Sequence, residues 1–185
     1  MKKFYLVLIF LVTTEFVHAQ FFKNNFYYEG EVGTITSFFV RDEDGDTQVF
    51  SIGGLSFRGG IGIHNEERSL FFGLHTGIEG NFRHKTGILP VYFNSKVAFD
   101  IGENTKLIFS FGYGKSFQVG PENYKGFLRK YTIALGNTTQ KDNMQSVFIE
   151  LNNHGFSFPD GVLAITVNLG YTFTFLGSML NIVGS

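Results

Sequence analysis

The sequence predicts an all-β fold, a closed antiparallel up-and-down barrel of eight strands. Three observations predict it. Apolar and small or polar residues alternate with a period of two along most of the chain. Gly (23) and Phe (24) are abundant while Pro (3) is scarce, a balance that favours strands and turns over disorder. Polar, Gly- or Asn-rich connections separate the alternating segments, and no amphipathic helix of useful length lies between them.

The N-terminal residues follow a different plan. Met1-Lys2-Lys3 is basic, Phe4 to Val12 is apolar, and Val17-His18-Ala19 ends in a small residue. Residues 1–19 are expected to be a secretory signal peptide cut after Ala19, with 20–185 as one barrel domain. The apolar run is shorter than the roughly 20 residues that a spanning helix needs. With no Cys in the chain, a disulfide framework and a lipid-modified cysteine are both excluded. A net charge of −1 gives no basic footprint, so nucleic acid is not expected as a partner.

The elements follow in order. The first strand is expected over Phe26–Phe39, with Glu29 and Glu31 on its polar face. The polar loop Arg41 to Asp46 separates it from a second strand, Val49–His64. Gly53-Gly54 and Gly59-Gly60 lie within that strand and suggest a bulge or bend. After the short Asn65–Arg68 connection comes a third strand, Ser69–Gly80, in which Leu70, Phe72, Leu74 and Ile78 oppose Gly73, His75, Gly77 and Glu79. A longer segment, Asn81 to Ile88, leads to a fourth strand at Leu89–Ile101. There Val91, Phe93, Val97, Phe99 and Ile101 oppose Tyr92, Asn94, Lys96, Ala98 and Asp100. The tight turn Gly102-Glu103-Asn104 leads to a fifth strand, Thr105–Phe117, with Leu107, Phe109, Phe111 and Tyr113 on one face. A long loop, Ser116 to Phe127, precedes the sixth strand, Leu128–Gly136. Asn137 to Met144 leads to the seventh, Gln145–Asn152, and a loop from Asn153 to Gly161 leads to the eighth, Val162–Phe175. Short turns at one end and longer loops at the other are the expected pattern, with Asn137 to Met144, too long for a short turn, as the exception.

The polar face decides what surrounds the barrel. A water-facing exterior is rich in Lys and Glu, whereas this face is mostly Gly, Ser, Thr and Asn with isolated charges. Small residues suit the crowded inside of a narrow barrel, and the wide aromatic face suits lipid. The barrel is therefore expected to be transmembrane, with Tyr27, Tyr28, Tyr92, Tyr113, Tyr131 and Tyr171 as candidates for interfacial girdles. Glu29, Glu31, Arg58, Glu79, Lys96, Asp100, Lys130 and Glu150 then form a candidate charge network across a side-chain-filled lumen. A soluble lipocalin-like barrel binding a small apolar ligand is the alternative, with the faces inverted.

With the faces assigned, the chain resembles small bacterial outer-membrane β-barrel proteins, of the Bacteroidetes type with a single barrel domain. The pieces that carry the resemblance are Ile88-Leu-Pro-Val-Tyr92, Phe111-Gly-Tyr-Gly-Lys-Ser-Phe117 and Asn168-Leu-Gly-Tyr-Thr-Phe-Thr-Phe175. The resemblance implies a non-enzymatic protein of the Gram-negative cell outer membrane. It implies outer-membrane lipid and the barrel-assembly machinery as partners, with the surface ligand or protein partner unidentified. Asn168, Gly170, Phe173 and Phe175 match the assembly signal such barrels carry, though the chain continues to Ser185 instead of ending on the aromatic residue.

No catalytic, metal or cofactor site is expected. His154 and Ser157 are separated by two residues in an expected surface loop, which departs from the spacing of outer-membrane lipid A deacylases; a lipid-modifying enzyme is kept as a further alternative. Asp42 to Asp46 has carboxylates beside Gly but lacks a complete calcium-loop pattern. His64, His75 and His84 show no metal-ligand spacing.

Overall fold

Period-two alternation becomes extended chain wherever backbone groups find a partner strand. The computed structural model describes residues 25–41, 47–82, 85–120, 124–139, 143–157 and 163–176. Among them are β1 (Phe26–Arg41), β2 (Thr47–His64), β3 (Leu70–Asn81), β4 (Thr86–Asp100), β5 (Thr105–Val119), β6 (Lys125–Thr138), β7 (Met144–Ser157) and β8 (Leu163–Leu176). Each strand pairs antiparallel with its neighbours in sequence, and β8 returns to β1 with Tyr28 opposite Phe175, closing the barrel. Closure leaves no open edge.

The strands run longer than the sequence pattern suggests. β6 begins at Lys125 rather than Leu128, and β7 continues to Ser157, so residues 153–157 are strand and not loop. The connections are consequently similar at both ends. They are 65–69, 101–104 and 139–143 at the end that carries Phe26 and Leu176, and 42–46, 82–85, 120–124 and 158–162 at the opposite end. The expected contrast of short turns and long loops is not found. A growing hairpin satisfies backbone donors and acceptors whatever the side chains are, so Asn- and Gly-rich residues extend the ladder. The Asp42–Asp46 segment lies outside the described residues.

Local chemistry fixes the irregularities. The β1–β2 register shifts between Ile35, opposite Gly54, and Thr36, opposite Ile52, which leaves Gly53 as the bulged residue. Its carbonyl accepts from Phe82 N at 2.7 Å. The β3–β4 ladder is interrupted between Thr76↔Val91 and Glu79↔Ile88, beside Pro90, which has no N–H to donate. In the 65–69 connection, Asn65 Oδ1 accepts from the Ser69 and Leu70 amides at 2.8 and 2.9 Å, and Arg68 takes a positive φ of 54°.

Faces alternate as the parity of each strand dictates. Phe57, Leu74, Phe93, Phe111, Ile133 and Val147 point outward, and the exposed large side chains form an almost wholly apolar belt. The interior is layered. At the end carrying Phe26, Tyr27, Phe71, Ile108, Met144 and Phe148 form an apolar plug. At the far end Ile88, Phe156 and Ala164 form a second, smaller one. Charged and polar groups fill the space between. Tyr113, Tyr131 and Tyr171 are on the outer face as the girdle reading requires, but Tyr27 and Tyr92 are buried inside, because their parity is that of Glu29 and Asn94. Gly170 is a packing necessity, since a Cβ there would sit 2.3 Å from the Val32 carbonyl and 2.5 Å from the Phe148 ring.

Candidate functional site: the charged interior

Arg58 stands at the centre. Its Nε lies 3.0 Å from Glu31 Oε2, and its two terminal nitrogens reach the Glu150 carboxylate at 2.6 and 2.9 Å. Lys130 Nζ lies 2.9 Å from both Glu31 Oε2 and Glu150 Oε2. The four groups form a closed ring of alternating sign: Arg58, Glu31, Lys130, Glu150. Such a ring lets each buried charge meet two opposite ones, the condition under which burial is tolerable. Thr132, Asn152 and Asn168 donate the remaining hydrogen bonds to Glu150. Tyr92 Oη accepts from Lys130 at 3.1 Å, and its ring stacks on His75 with centroids 5.4 Å apart.

Two further groups flank the ring. Towards the Phe26 end, Glu29 Oε2 accepts from Lys96 and from Thr174. Glu29 Oε1 faces His75 Nδ1 at 3.8 Å, and His75 Nε2 lies 3.4 Å from Tyr27 Oη. Towards the far end, Glu79 Oε1 lies 3.4 Å from Arg58, while its Oε2 lies 3.3 Å from His154 Nε2. His154 Nδ1 in turn lies 2.9 Å from Ser116 Oγ. Ser, His and Glu are the residue types of an acyl-transfer triad. The imidazole is reversed relative to that arrangement, in which Nε2 faces the hydroxyl, and Ser116, His154 and Glu79 are all fully buried.

Of the residues singled out in the sequence, Glu29, Glu31, Arg58, Glu79, Lys96, Lys130 and Glu150 are brought together inside the barrel. Asp100 is not. It ends β4, its side chain is 70% exposed, and it pairs with Lys106 at 2.6 Å. Parity alone put it in the interior, but the last residue of a strand lies beyond the plug formed by Phe71 and Ala98. His154 is also corrected: it belongs to β7 and the interior, where Ser116 Oγ lies beside its ring. The signal was present in the parity of Phe148, Glu150, Asn152, His154 and Phe156, which all point inward. Asn168 and Gly170 occupy the interior face, whereas the rings of Phe173 and Phe175 pack 4.3 Å apart on the other face.

The sequence matches no family model and no curated protein. Solved structures are similar in fold. Neisserial surface protein A superposes with a TM-score of 0.60 at 12% identity, over 82% of this chain and 96% of that one. A de novo designed transmembrane β-barrel aligns over the same shares with a TM-score of 0.46 at 9% identity. The eight-stranded closed antiparallel barrel is thus a fold found in a bacterial surface protein.

Proposed function

We propose that the chain is an integral outer-membrane β-barrel, exported by its N-terminal signal and inserted by the barrel-assembly machinery. Its role is non-enzymatic: structural support of the envelope, or interaction through the ends of its strands. The observation that carries this reading is the inverted polarity of the wall. Charged groups and amides are buried while Phe, Leu, Ile and Val are exposed around the barrel. A bilayer accepts that arrangement, because closure satisfies the backbone and lipid covers the apolar belt. A lipocalin-like carrier needs the opposite polarity, with an apolar cavity where this barrel holds Arg58 and its partners. The sealing of Ser116 and His154 behind Ile88 and Phe156 favours a structural role for them over lipid hydrolysis. Assignment to the Bacteroidetes-type family rests on the three sequence pieces quoted above, and the sorting role of Asn168, Gly170, Phe173 and Phe175 rests on their pattern.

The test is migration in SDS, with and without boiling, of protein taken from isolated outer membranes. A heat-dependent shift is expected. Recovery in the soluble periplasmic fraction without detergent would overturn the proposal.

A further inference from the structure

We infer that the barrel interior holds a divalent transition-metal site formed by His75, Glu29 and Glu31. One ligand atom from each lies within 4.8 Å of the others, and all three residues are buried. Two buried atoms of these residues have no hydrogen-bond partner: Glu29 Oε1 and His75 Nδ1. They face each other at 3.8 Å, too far for a hydrogen bond. A cation between them would satisfy both atoms, with His75 in the tautomer that leaves Nδ1 unprotonated. Coordination bonds of about 2.0–2.2 Å from nitrogen and oxygen bridge such a gap after a shift of a few tenths of an ångström.

The surroundings are those of a ligating histidine. The far nitrogen of His75 lies beside Tyr27 Oη at 3.4 Å, and its ring is held by stacking on Tyr92. Outer partners of this kind fix the ring orientation of metal-bound imidazoles. Gly60 opposes His75 and leaves it room, since a Cβ there would lie 2.4 Å from the ring. The electrostatics also admit a cation. Among the described interior residues, the carboxylates of Glu29, Glu31, Glu79 and Glu150 outnumber the fixed cations Arg58, Lys96 and Lys130. One imidazole nitrogen with two carboxylates suits zinc and its neighbours better than calcium or magnesium. Glu31 serves through a lone pair beyond those used by Lys130 and Arg58, since each carboxylate oxygen carries two.

Lys96 is the competitor. It pairs with Glu29, and its side chain is the more accessible of the two at 6% exposure. Removing its charge should tighten metal binding, whereas removing a merely structural lysine would not.

The experiment uses the full barrel refolded in detergent micelles, with Zn²⁺ or Co²⁺ supplied during and after refolding. Folding of every variant is checked by the heat-dependent gel shift. Retained metal is measured after dialysis, and the Co²⁺ form is examined for visible ligand-field bands. The wild type is expected to retain about one ion per chain, with His75→Phe weakening binding by more than about tenfold. Lys96→Gln is expected to tighten it by roughly tenfold, through loss of one buried like charge. Absence of stoichiometric metal from both folded wild type and folded Lys96→Gln would overturn the inference. So would undiminished binding in folded His75→Phe.

Discussion

Ile149→Arg separates a lipid-facing wall from a water-facing one. Ile149 lies near the middle of β7, between Ile133 and Leu169 on the neighbouring strands, and is 48% exposed on the outer face. Val147 and Leu151 flank it on the same face. The substitution leaves Glu150 and the interior untouched, because adjacent residues of a strand point to opposite faces. If the belt contacts hydrocarbon, an arginine near the midplane costs about 2–4 kcal/mol. That is a roughly 30- to 800-fold change in the folding equilibrium. If the same face contacts water, an exposed substitution of this kind stays within about 0.5 kcal/mol. The two expectations do not overlap. The assay is urea titration of the barrel refolded into thin-chain lipid vesicles, with Ile149→Leu as a control expected to lose less than about 1.5 kcal/mol. A loss below about 0.5 kcal/mol for the arginine variant, with Ile149→Leu equally neutral, would refute the membrane reading of the belt.

Other predictions follow from the interior. Arg58→Met should cost about 3–5 kcal/mol in the same titration, because Glu31, Glu150 and Glu79 lose their shared cation while remaining buried. Adding Glu150→Gln to that variant should recover part of the loss. Gly60→Ala should lower stability by about 1–3 kcal/mol by pushing the His75 ring off Tyr92, whereas Gly30→Ala, where nothing lies within 4 Å, should stay within about 0.5 kcal/mol. In planar bilayers the purified wild type should show no steady unitary conductance, since side chains fill the interior between the apolar plugs at Phe71 and Phe156.

The strands were legible because one face of most of them is predominantly apolar over its central residues, and a one-residue slip would invert every side chain. Leu107 to Tyr113 and Ile165 to Phe175 declare their faces without help from tertiary structure. The extensions at Lys125–Phe127 and Asn153–Ser157 were hidden, because Lys, Gly, Asn and His carry turn-like composition while the ladder asks only for backbone groups. The interior was legible as a set of inward charges and illegible as a set of pairs. Arg58 meets Glu150 across 92 positions of sequence, and Lys130 meets Glu31 across 99. No local spacing encodes such contacts. His75 shows the same limit, since its neighbours Glu29 and Tyr27 belong to β1 and spacing among histidines says nothing about them.

The alternating ring also bears on why a membrane barrel would bury charge at all. A wholly apolar interior would make both faces of each strand acceptable to lipid, and nothing would then choose which face turns inward. In the proposed bilayer setting, Glu29, Glu31, Arg58, Lys130 and Glu150 make that choice costly to reverse, because a slip by one residue would put an ion into hydrocarbon. Conditional satisfaction strengthens it. Lys130 contacts Glu31 on β1 and Glu150 on β7, and Arg58 on β2 contacts the same two carboxylates. The ring is complete only when β1, β2, β6 and β7 are all present in register. Its charges are therefore compensated in the closed barrel and exposed to partial solvation in any open sheet that precedes it. Ring closure and barrel closure are coupled events, and the interior polar groups act as a specification of register as much as a source of stability.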